Sequence, residues 1–181
     1  MTYKLDKTRE FLPINFAILT ISDTRTKETD KSGDLLEKLI KTSGHMIFKR
    51  QIVPDDQGLI SRILVDWSSQ EKIEAIISTG GTGLTGRDVS VEAHRAVYDK
   101  EIDAFSTLFT EISVNKIGTS AVQSRACAGI TNGTFLFALP GSPSACKDGW
   151  NEILAKQFDY RHMPCNFVEL LPRLLENDRR Q

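Results

Sequence analysis

A glycine-rich stretch near the middle of the chain, STGGTGLTGRD, has the residue types of an anion-binding loop. Gly80, Gly81, Gly83 and Gly86 fall within seven residues. Glycine tolerates positive φ and lets backbone N–H groups approach a ligand closely. A helix that begins near Ser90 would add the positive end of its dipole. The expected ligand is a phosphate, and the alternative is a tight strand-to-helix turn that binds nothing.

The two standard phosphate-binding motifs fit this stretch poorly. Its last three glycines match the dinucleotide fingerprint G-x-G-x-x-G, which also needs an acidic residue at the end of a second strand about twenty residues on. Asp103 has that separation, but it lies inside a predicted helical stripe from Tyr98 to Phe109. A P-loop needs Lys followed by Ser or Thr where Arg87 and Asp88 stand. Neither a nicotinamide site nor a P-loop is therefore expected.

Asp88, which fits neither of these motifs, indicates a metal ion. Asp88 would repel bound phosphates unless Mg²⁺ lay between them, and Asp55 or Asp56 follows another predicted strand. Two carboxylates beside a phosphate-binding loop could hold Mg²⁺ for nucleotidyl or phosphoryl transfer. Two alternatives stay open. Asp55 or Asp56 could cap a helix, and Asp88 could cap a helix or pair with Arg87.

Strand-like apolar runs alternate with helical patterns along the chain. Strands are predicted at Asn15 to Ser22, in HMIFKRQIVPDD, at Ile73 to Thr79 and at Thr134 to Gly141. Helices are predicted in DLLEKLIKTSG, in DDQGLISRILVDWSS, from Ser90 as N-cap, in the middle of residues 118–128 and from Ser144. The polar stretch DTRTKETDKSG is expected to be an exposed loop or an irregular helix start.

This alternation predicts an α/β fold, a three-layer sandwich with a mostly parallel sheet and helices on both faces. Ligands of such sheets bind beyond the carboxyl ends of the strands. The segments TISD, IVPDD, STGGTG and LPGSP follow the four predicted strands. The four loops are therefore expected to meet at one edge of the sheet.

Length and composition limit the classes of function. The 181 residues suffice for a single domain, 1–181, with residues 1–12 and 172–181 expected to be loose termini. A net charge of -1 argues against nucleic acid as a partner. The chain has no apolar run of the ~18 residues that a membrane span needs, and its charged N-terminus lacks a signal core, so a cytoplasmic protein is expected. Its three separated cysteines are expected to be free thiols.

The combined motifs resemble those of the molybdopterin-binding family that contains MoaB and MogA. STGGTGLTGRDVSVEA is similar to the family signature, LPGSP to its second loop, and TISD and PDD fall where the family places its others. The resemblance covers about Phe11 to Phe167 and is closest to the MoaB branch. It departs slightly at Val91, where the family often has proline.

The resemblance implies an enzyme that binds molybdopterin and adenylylates it with Mg-ATP, releasing pyrophosphate, before molybdate insertion. It implies a homotrimer or homohexamer, with molybdopterin and ATP as substrates and Mg²⁺ as cofactor. Asp55 and Asp88 correspond to the two family aspartates, as catalytic residues and Mg²⁺ ligands. The expected substrate-binding residues are Ser22, Asp23, Thr79, Gly80, Gly81, Thr82, Gly83, Pro140, Gly141, Ser142 and Pro143. The alternative is a non-catalytic molybdopterin carrier or a regulatory protein of the same pathway.

Overall fold

The computed structural model describes residues 4–176 as alternating strands and helices. The strands are β1 Lys4–Leu5, β2 Asn15–Ile21, β3 Met46–Val53, β4 Ala75–Thr79, β5 Lys100–Glu101, β6 Cys127–Thr131, β7 Thr134–Leu139 and β8 His162–Met163. The α-helices are α1 Lys31–Thr42, α2 Gln57–Ser68, α3 Ser90–Arg95, α4 Asp103–Ile117, α5 Pro143–Asp148 and α6 Ala155–Gln157. A π-helical turn, Gly149–Leu154, joins α5 to α6, and short 3₁₀ helices lie at Gly118–Gln123 and Leu171–Arg173.

Six strands form the central sheet in the order β3-β2-β4-β7-β6-β5. The pairs β2–β3, β2–β4 and β4–β7 are parallel, whereas β6–β7 and β5–β6 are antiparallel. The predicted α/β fold with a mostly parallel sheet is therefore confirmed. The parallel order also brings the carboxyl ends of the four predicted strands to one edge.

The central strands are apolar because both of their faces are covered. On one face Phe16, Phe135 and Phe137 pack with the aromatic rings of the C-terminal helical segment, Trp150 and Phe158. On the other face the alternate strand residues pack against α2. The two faces therefore carry separate hydrophobic cores, and the sheet between them is a rigid base for its edge loops.

The predicted helical stripe from Tyr98 to Phe109 is wrong in its first part. Helix α3 ends at Arg95, β5 follows, and α4 begins at Asp103. β5 pairs with β6, which begins at Cys127, after the segment whose middle is predicted to be helical. That segment forms the 3₁₀ helix Gly118–Gln123. Apolar residues at helical spacing are here divided between a turn, an edge strand and a separate helix, because tertiary pairing outweighs local pattern.

The described parts of both termini contact the rest of the domain. Lys4–Leu5 pairs antiparallel with His162–Met163. The ring of Phe11 packs 5.0 Å from that of His45, between ring centroids. At the other end the 3₁₀ turn at Leu171–Arg173 packs on the main core. Residues 1–3 and 177–181 of the predicted loose termini lie outside the described residues.

Candidate functional site

An open cleft of about 550 Å³ lies at the carboxyl edge of the parallel strands. Its walls come from the four predicted loops and from the segment before β6. The lining residues are Ile21, Ser22, Thr24, Arg25, Asp55, Gly80, Gly81, Thr82, Gly83, Thr85, Arg87, Asp88, Ser124, Pro140 and Gly141. The sequence thus predicts correctly which loops meet, and two of their carboxylates share the cleft.

The glycine loop needs its first two glycines. Gly80 and Gly81 have φ values of +106° and +61°, where a side chain is strained. A Cβ on Gly81 would lie 2.5 Å from Oδ1 of Asp55, and one on Gly80 would overlap the carbonyl of Ile21. The loop is therefore folded tightly against β2 and against the Asp55 side chain.

Ser90 holds the glycine loop through hydrogen bonds to two of its carbonyl groups instead of capping a helix. Its hydroxyl donates to the carbonyl of Gly80 at 2.6 Å, and its N–H donates to the carbonyl of Gly81 at 2.9 Å. The N-cap of α3 is Val89, without a side-chain hydrogen bond. The prediction of Ser90 as N-cap is therefore wrong, because a buried carbonyl uses its hydroxyl.

Backbone donors of the loop remain open to a ligand. The N–H of Gly80 donates to the carbonyl of Leu139. For the N–H groups of Gly81 and Thr82, no acceptor is found among residues 4–176. Unpaired N–H groups beside a polar cleft are suited to phosphate or other anionic oxygens.

Asp55 carries a carboxylate in an unfavourable electrostatic environment. Its backbone N–H donates to Oδ1 of Asp23 at 3.1 Å, and its half-buried carboxylate interacts in turn with the backbone N–H of Asp23. Burial raises the pKa of Asp55, and the negative charges of Asp23 and Asp88 raise it further. A cation in the cleft would remove that unfavourable environment.

Asp88 lies in the opposite electrostatic situation. Its Oδ2 accepts the Thr85 hydroxyl at 2.6 Å and the Thr85 N–H at 2.9 Å. These bonds lower the pKa of Asp88, and the N–H of Gly83 and the charge of Arg125 lower it further. The carboxylate is therefore held in its ionised form at the far side of the loop.

The two carboxylates suit a magnesium ion that is shared with phosphates. A Cβ on Gly83 would lie 2.8 Å from Oδ2 of Asp88, as one on Gly81 would meet Asp55. Within residues 4–176 no group of three or more His, Cys, Asp or Glu side chains could hold a metal ion. One or two carboxylates, with waters and substrate phosphates as the other ligands, is the usual protein contribution to Mg²⁺ binding.

The neighbouring acidic residues have structural partners. Asp56 is the N-cap of α2 and accepts the N–H of Leu59 at 2.6 Å, so the capping alternative holds for Asp56. Arg87 pairs with Asp23 and not with Asp88. The carboxylate of Asp23 therefore fixes Asp55 by accepting the backbone N–H of Asp55, and it adds a negative charge beside the cleft.

Only the first half of the predicted Pro140–Pro143 loop lines the cleft, and the second half begins α5. Pro140 and Gly141 line the cleft, whereas Ser142 caps α5 by accepting the N–H of Ala145 at 3.2 Å. Pro143 is the first residue of that helix and lies outside the cleft lining. Thr79 is also away from the cleft, fully buried, with its hydroxyl donating to the carbonyl of Pro140 at 3.0 Å.

Two arginines complete the site without being predicted. Arg25 donates to the carbonyl of Gly141 and contacts Ser32, tying the first loop to the fourth. Arg125 donates to the carbonyls of Thr82 and Gly83, both at 3.1 Å. Arg25 belongs to a stretch expected to be an exposed loop, and Arg125 to one without a clear pattern. No local sequence signal marks either arginine, because their acceptors are backbone groups distant in sequence.

Histidine has no place in the cleft lining. His94 is fully buried between Ser78, 2.9 Å from its Nε2, and Tyr98, whose hydroxyl lies 3.2 Å from its Nδ1. Burial lowers the pKa of His94 to about 3, so the ring is neutral at ordinary pH. It therefore acts as a polar part of the core, and the acidic groups that line the cleft are the carboxylates of Asp55 and Asp88.

Known proteins are similar to this chain in sequence and in fold. The family model described as "Probable molybdopterin binding domain" matches residues 17–160. Molybdenum cofactor biosynthesis protein B of Escherichia coli K12 is 40% identical over 158 residues, covering 87% of this chain and 93% of that protein. The protein of the same name from Staphylococcus epidermidis is 44% identical over 139 residues, 75% of this chain and 79% of that one.

Solved structures agree with these matches. A crystal structure of a molybdenum cofactor biosynthesis protein B covers 96% of this chain and 100% of its own, with a TM-score of 0.79 and 36% identity. The tungsten cofactor synthesizing protein MoaB from Pyrococcus furiosus covers 81% of this chain and 93% of its own, with a TM-score of 0.72 and 31% identity. The chain belongs to the molybdopterin-binding domain family that includes these proteins.

Proposed function

We propose that this protein binds molybdopterin and adenylylates it with Mg-ATP. An oxygen of the pterin phosphate attacks the α-phosphorus of ATP, the bond to the bridging oxygen breaks, and pyrophosphate leaves with that electron pair. Family membership supports a role in molybdenum cofactor biosynthesis. The observation that carries the catalytic proposal is the placement of Asp55 and Asp88 on either side of the glycine loop.

The chain's own residues bind and orient the reactants. The free N–H groups of Gly81 and Thr82 donate to phosphate oxygens. Asp55 and Asp88 would hold Mg²⁺, which would supply charge neutralisation on the phosphates. Arg87, whose side chain is 70% exposed at the cleft, adds positive charge near the leaving pyrophosphate. Positioning and charge neutralisation account for most catalysis of phosphoryl-type transfer, so no general base is needed.

The direct test is an adenylylation assay with purified protein, molybdopterin, ATP and Mg²⁺. Adenylylated molybdopterin and pyrophosphate should appear in equal amounts, and omission of Mg²⁺ should abolish both. The matched control is Asp56→Asn, because Asp56 is adjacent in sequence but caps α2. Product formation that is the same in wild type and in Asp88→Ala would remove the catalytic assignment.

A non-catalytic carrier or regulator of the same pathway is the second candidate. It fits the openness of the cleft and the two bracing contacts that fix the loops without a nucleotide, through Arg25 and Arg125. This candidate predicts that the protein binds molybdopterin tightly and forms no adenylylated product. It also predicts that Asp55→Ala has little effect on turnover of the pathway. Equilibrium titration of the protein with molybdopterin, in the presence and absence of Mg-ATP, separates the two candidates.

A further inference from the structure

The backbone of the glycine loop is held from outside the cleft by one arginine. Arg125 lies between the 3₁₀ helix Gly118–Gln123 and β6. Its Nε donates to the carbonyls of Thr82 and Gly83 at 3.1 Å, and its Nη2 donates to the carbonyl of Asp88 at 3.3 Å. One side chain thus joins the start of the loop to the residue that ends it.

A carboxylate orients this arginine. Both terminal nitrogens of Arg125 meet the Glu92 carboxylate in the first turn of α3, with Nη2 3.2 Å from Oε2. The planar guanidinium offers five donors in a fixed arrangement, so Glu92 on one side sets where the others point. The pair is partly exposed, at 29% and 45% of the side chains, so it adds little to overall stability.

The contact to Thr82 also determines where the next N–H points. In a trans peptide the C=O and the following N–H point in opposite directions. Holding the carbonyl of Thr82 outside the cleft therefore turns the N–H of Gly83 inwards. That N–H is among the groups that favour the ionised carboxylate of Asp88. The arginine acts on Asp88 through two peptide groups without entering the cleft lining.

We propose that Arg125, oriented by Glu92, is a positioning residue that sets the backbone of the glycine loop and the place of Asp88 for binding a divalent cation with phosphate. The inference rests on the proposed function for the identity of the ligand, while the loop geometry stands without it. Groups that only orient metal ligands commonly change metal affinity or activity by about 10-fold to 100-fold. An effect in that range is expected here.

Amide hydrogen exchange of the ligand-free protein tests the positioning independently of activity. The N–H groups of Thr85, Asp88 and Ser90 are all hydrogen-bonded within this region. In Arg125→Gln these amides should exchange roughly 10-fold faster, since local opening becomes easier while the core is unchanged. The matched control is Arg95→Gln, which removes the 2.9 Å ion pair between Arg95, at the end of α3, and Glu101 of β5. Equal exchange in both variants and wild type would overturn the inference.

Mg²⁺ dependence gives the functional arm of the test. In Arg125→Gln the Mg²⁺ concentration for half-maximal adenylylation should rise about 10-fold, with a smaller change in the KM for molybdopterin. Arg125→Lys should keep the thermal midpoint of wild type and recover only part of the Mg²⁺ affinity, because lysine keeps the charge and loses the planar arrangement of donors. Complete rescue by lysine, or a uniform loss of folded protein, would contradict positioning by the guanidinium.

The two proposals fail in different ways. If wild type forms no adenylylated product but the amides open in Arg125→Gln, the adenylyl-transfer function falls and the positioning role stands. If wild type is active and Arg125→Gln matches it in both exchange and Mg²⁺ dependence, the positioning role falls alone.

Discussion

The two sides of the glycine loop treat their carboxylates in opposite ways. Asp88 receives two hydrogen bonds from Thr85 and the positive potential of Arg125, which lower its pKa. Burial and the charges of Asp23 and Asp88 raise the pKa of Asp55, although the backbone N–H of Asp23 and the charge of Arg87 act in the opposite direction. The ionised carboxylate is therefore stabilised on one side of the loop and destabilised on the other.

This difference separates a structural role from a functional one. Asp88 helps to fold the loop 85–88, so its presence follows from local structure as well as from chemistry. Asp55 makes no hydrogen bond within the loop 85–88, and burial and the neighbouring like charges disfavour its ionised form. A half-buried carboxylate beside like charges is typical of a functional site, where a ligand supplies a compensating interaction.

Replacement of either aspartate by alanine should give the largest effect. Both Asp88→Ala and Asp55→Ala are expected to reduce adenylylation by roughly 100-fold or more, as loss of a charge-stabilising group in an active site does. Only Asp88→Ala should also lower the free energy of unfolding, by about 1 kcal/mol, because it loses the Thr85 hydrogen bonds. Urea unfolding of both variants measures the difference in their free energies of unfolding. Equal destabilisation of the two variants would contradict the proposed difference between Asp88 and Asp55.

Alanine substitutions at Gly81 and Gly83 should have different effects on stability and activity, because each Cβ would contact a different aspartate. Gly81→Ala should cost roughly 1–3 kcal/mol of stability, because its φ is positive and its Cβ would meet Asp55. Gly83→Ala should leave stability closer to wild type but lower activity, since its Cβ pushes against the Asp88 side chain. Thermal unfolding and the adenylylation rate are measured together.

Gly86→Ala is the matched control for this series. No atom lies within 4 Å of a Cβ at Gly86, although it belongs to the same loop. Its stability should stay within about 1 kcal/mol of wild type, with normal activity. A Gly86→Ala protein as impaired as Gly81→Ala would show that the loop tolerates no side chain for reasons other than the Asp55 contact.

A smaller effect is expected in the order in which the carboxylates titrate. As the pH falls, Asp55 should take up its proton before Asp88, because the pKa of Asp55 is raised and that of Asp88 is lowered. The stability associated with Asp88 is present above its unfolded pKa and is lost as the pH falls through its folded value. The contribution of Asp55 has the opposite sign and is lost as the pH rises through its folded pKa.

Carbon-13 NMR of the side-chain carboxyl groups measures this order directly. Added Mg²⁺ should move the Asp55 transition to lower pH and change the Asp88 transition less, because Asp88 is already stabilised by protein donors. Simultaneous titration of the two groups, or no response of Asp55 to Mg²⁺, would remove the distinction between the two sides.

The parallel part of the fold could be predicted from sequence, and the antiparallel part could not. NFAILTIS and TFLFALPG are apolar on both faces, which is the pattern of buried parallel strands. β5 has only two residues, Lys100 and Glu101, and is recognisable only through its pairing with β6. A strand that exists because of its partner leaves no periodic signal of its own.

The site was predictable where its residues follow strands. Gly80, Gly81 and Asp55 lie where the carboxyl ends of β4 and β3 put them. Thr79 and Pro143 follow the same rule, yet one is buried and the other begins a helix, because a strand end has both inward and outward positions. Arg25 and Arg125 reach backbone carbonyls far along the chain, so only the folded structure identifies them. The homotrimer or homohexamer and the cytoplasmic location stay predictions.

The central claim is that Asp55 is kept for a cation at the expense of stability. The most direct test compares Asp55→Asn with wild type in two measurements on the same preparation, the thermal midpoint without ligands and the rate of pyrophosphate release with molybdopterin and Mg-ATP. Asparagine removes the charge and keeps the shape. We predict a midpoint higher by roughly 1–3 °C and a rate lower by roughly 100-fold. A less stable variant with an unchanged rate would contradict the account.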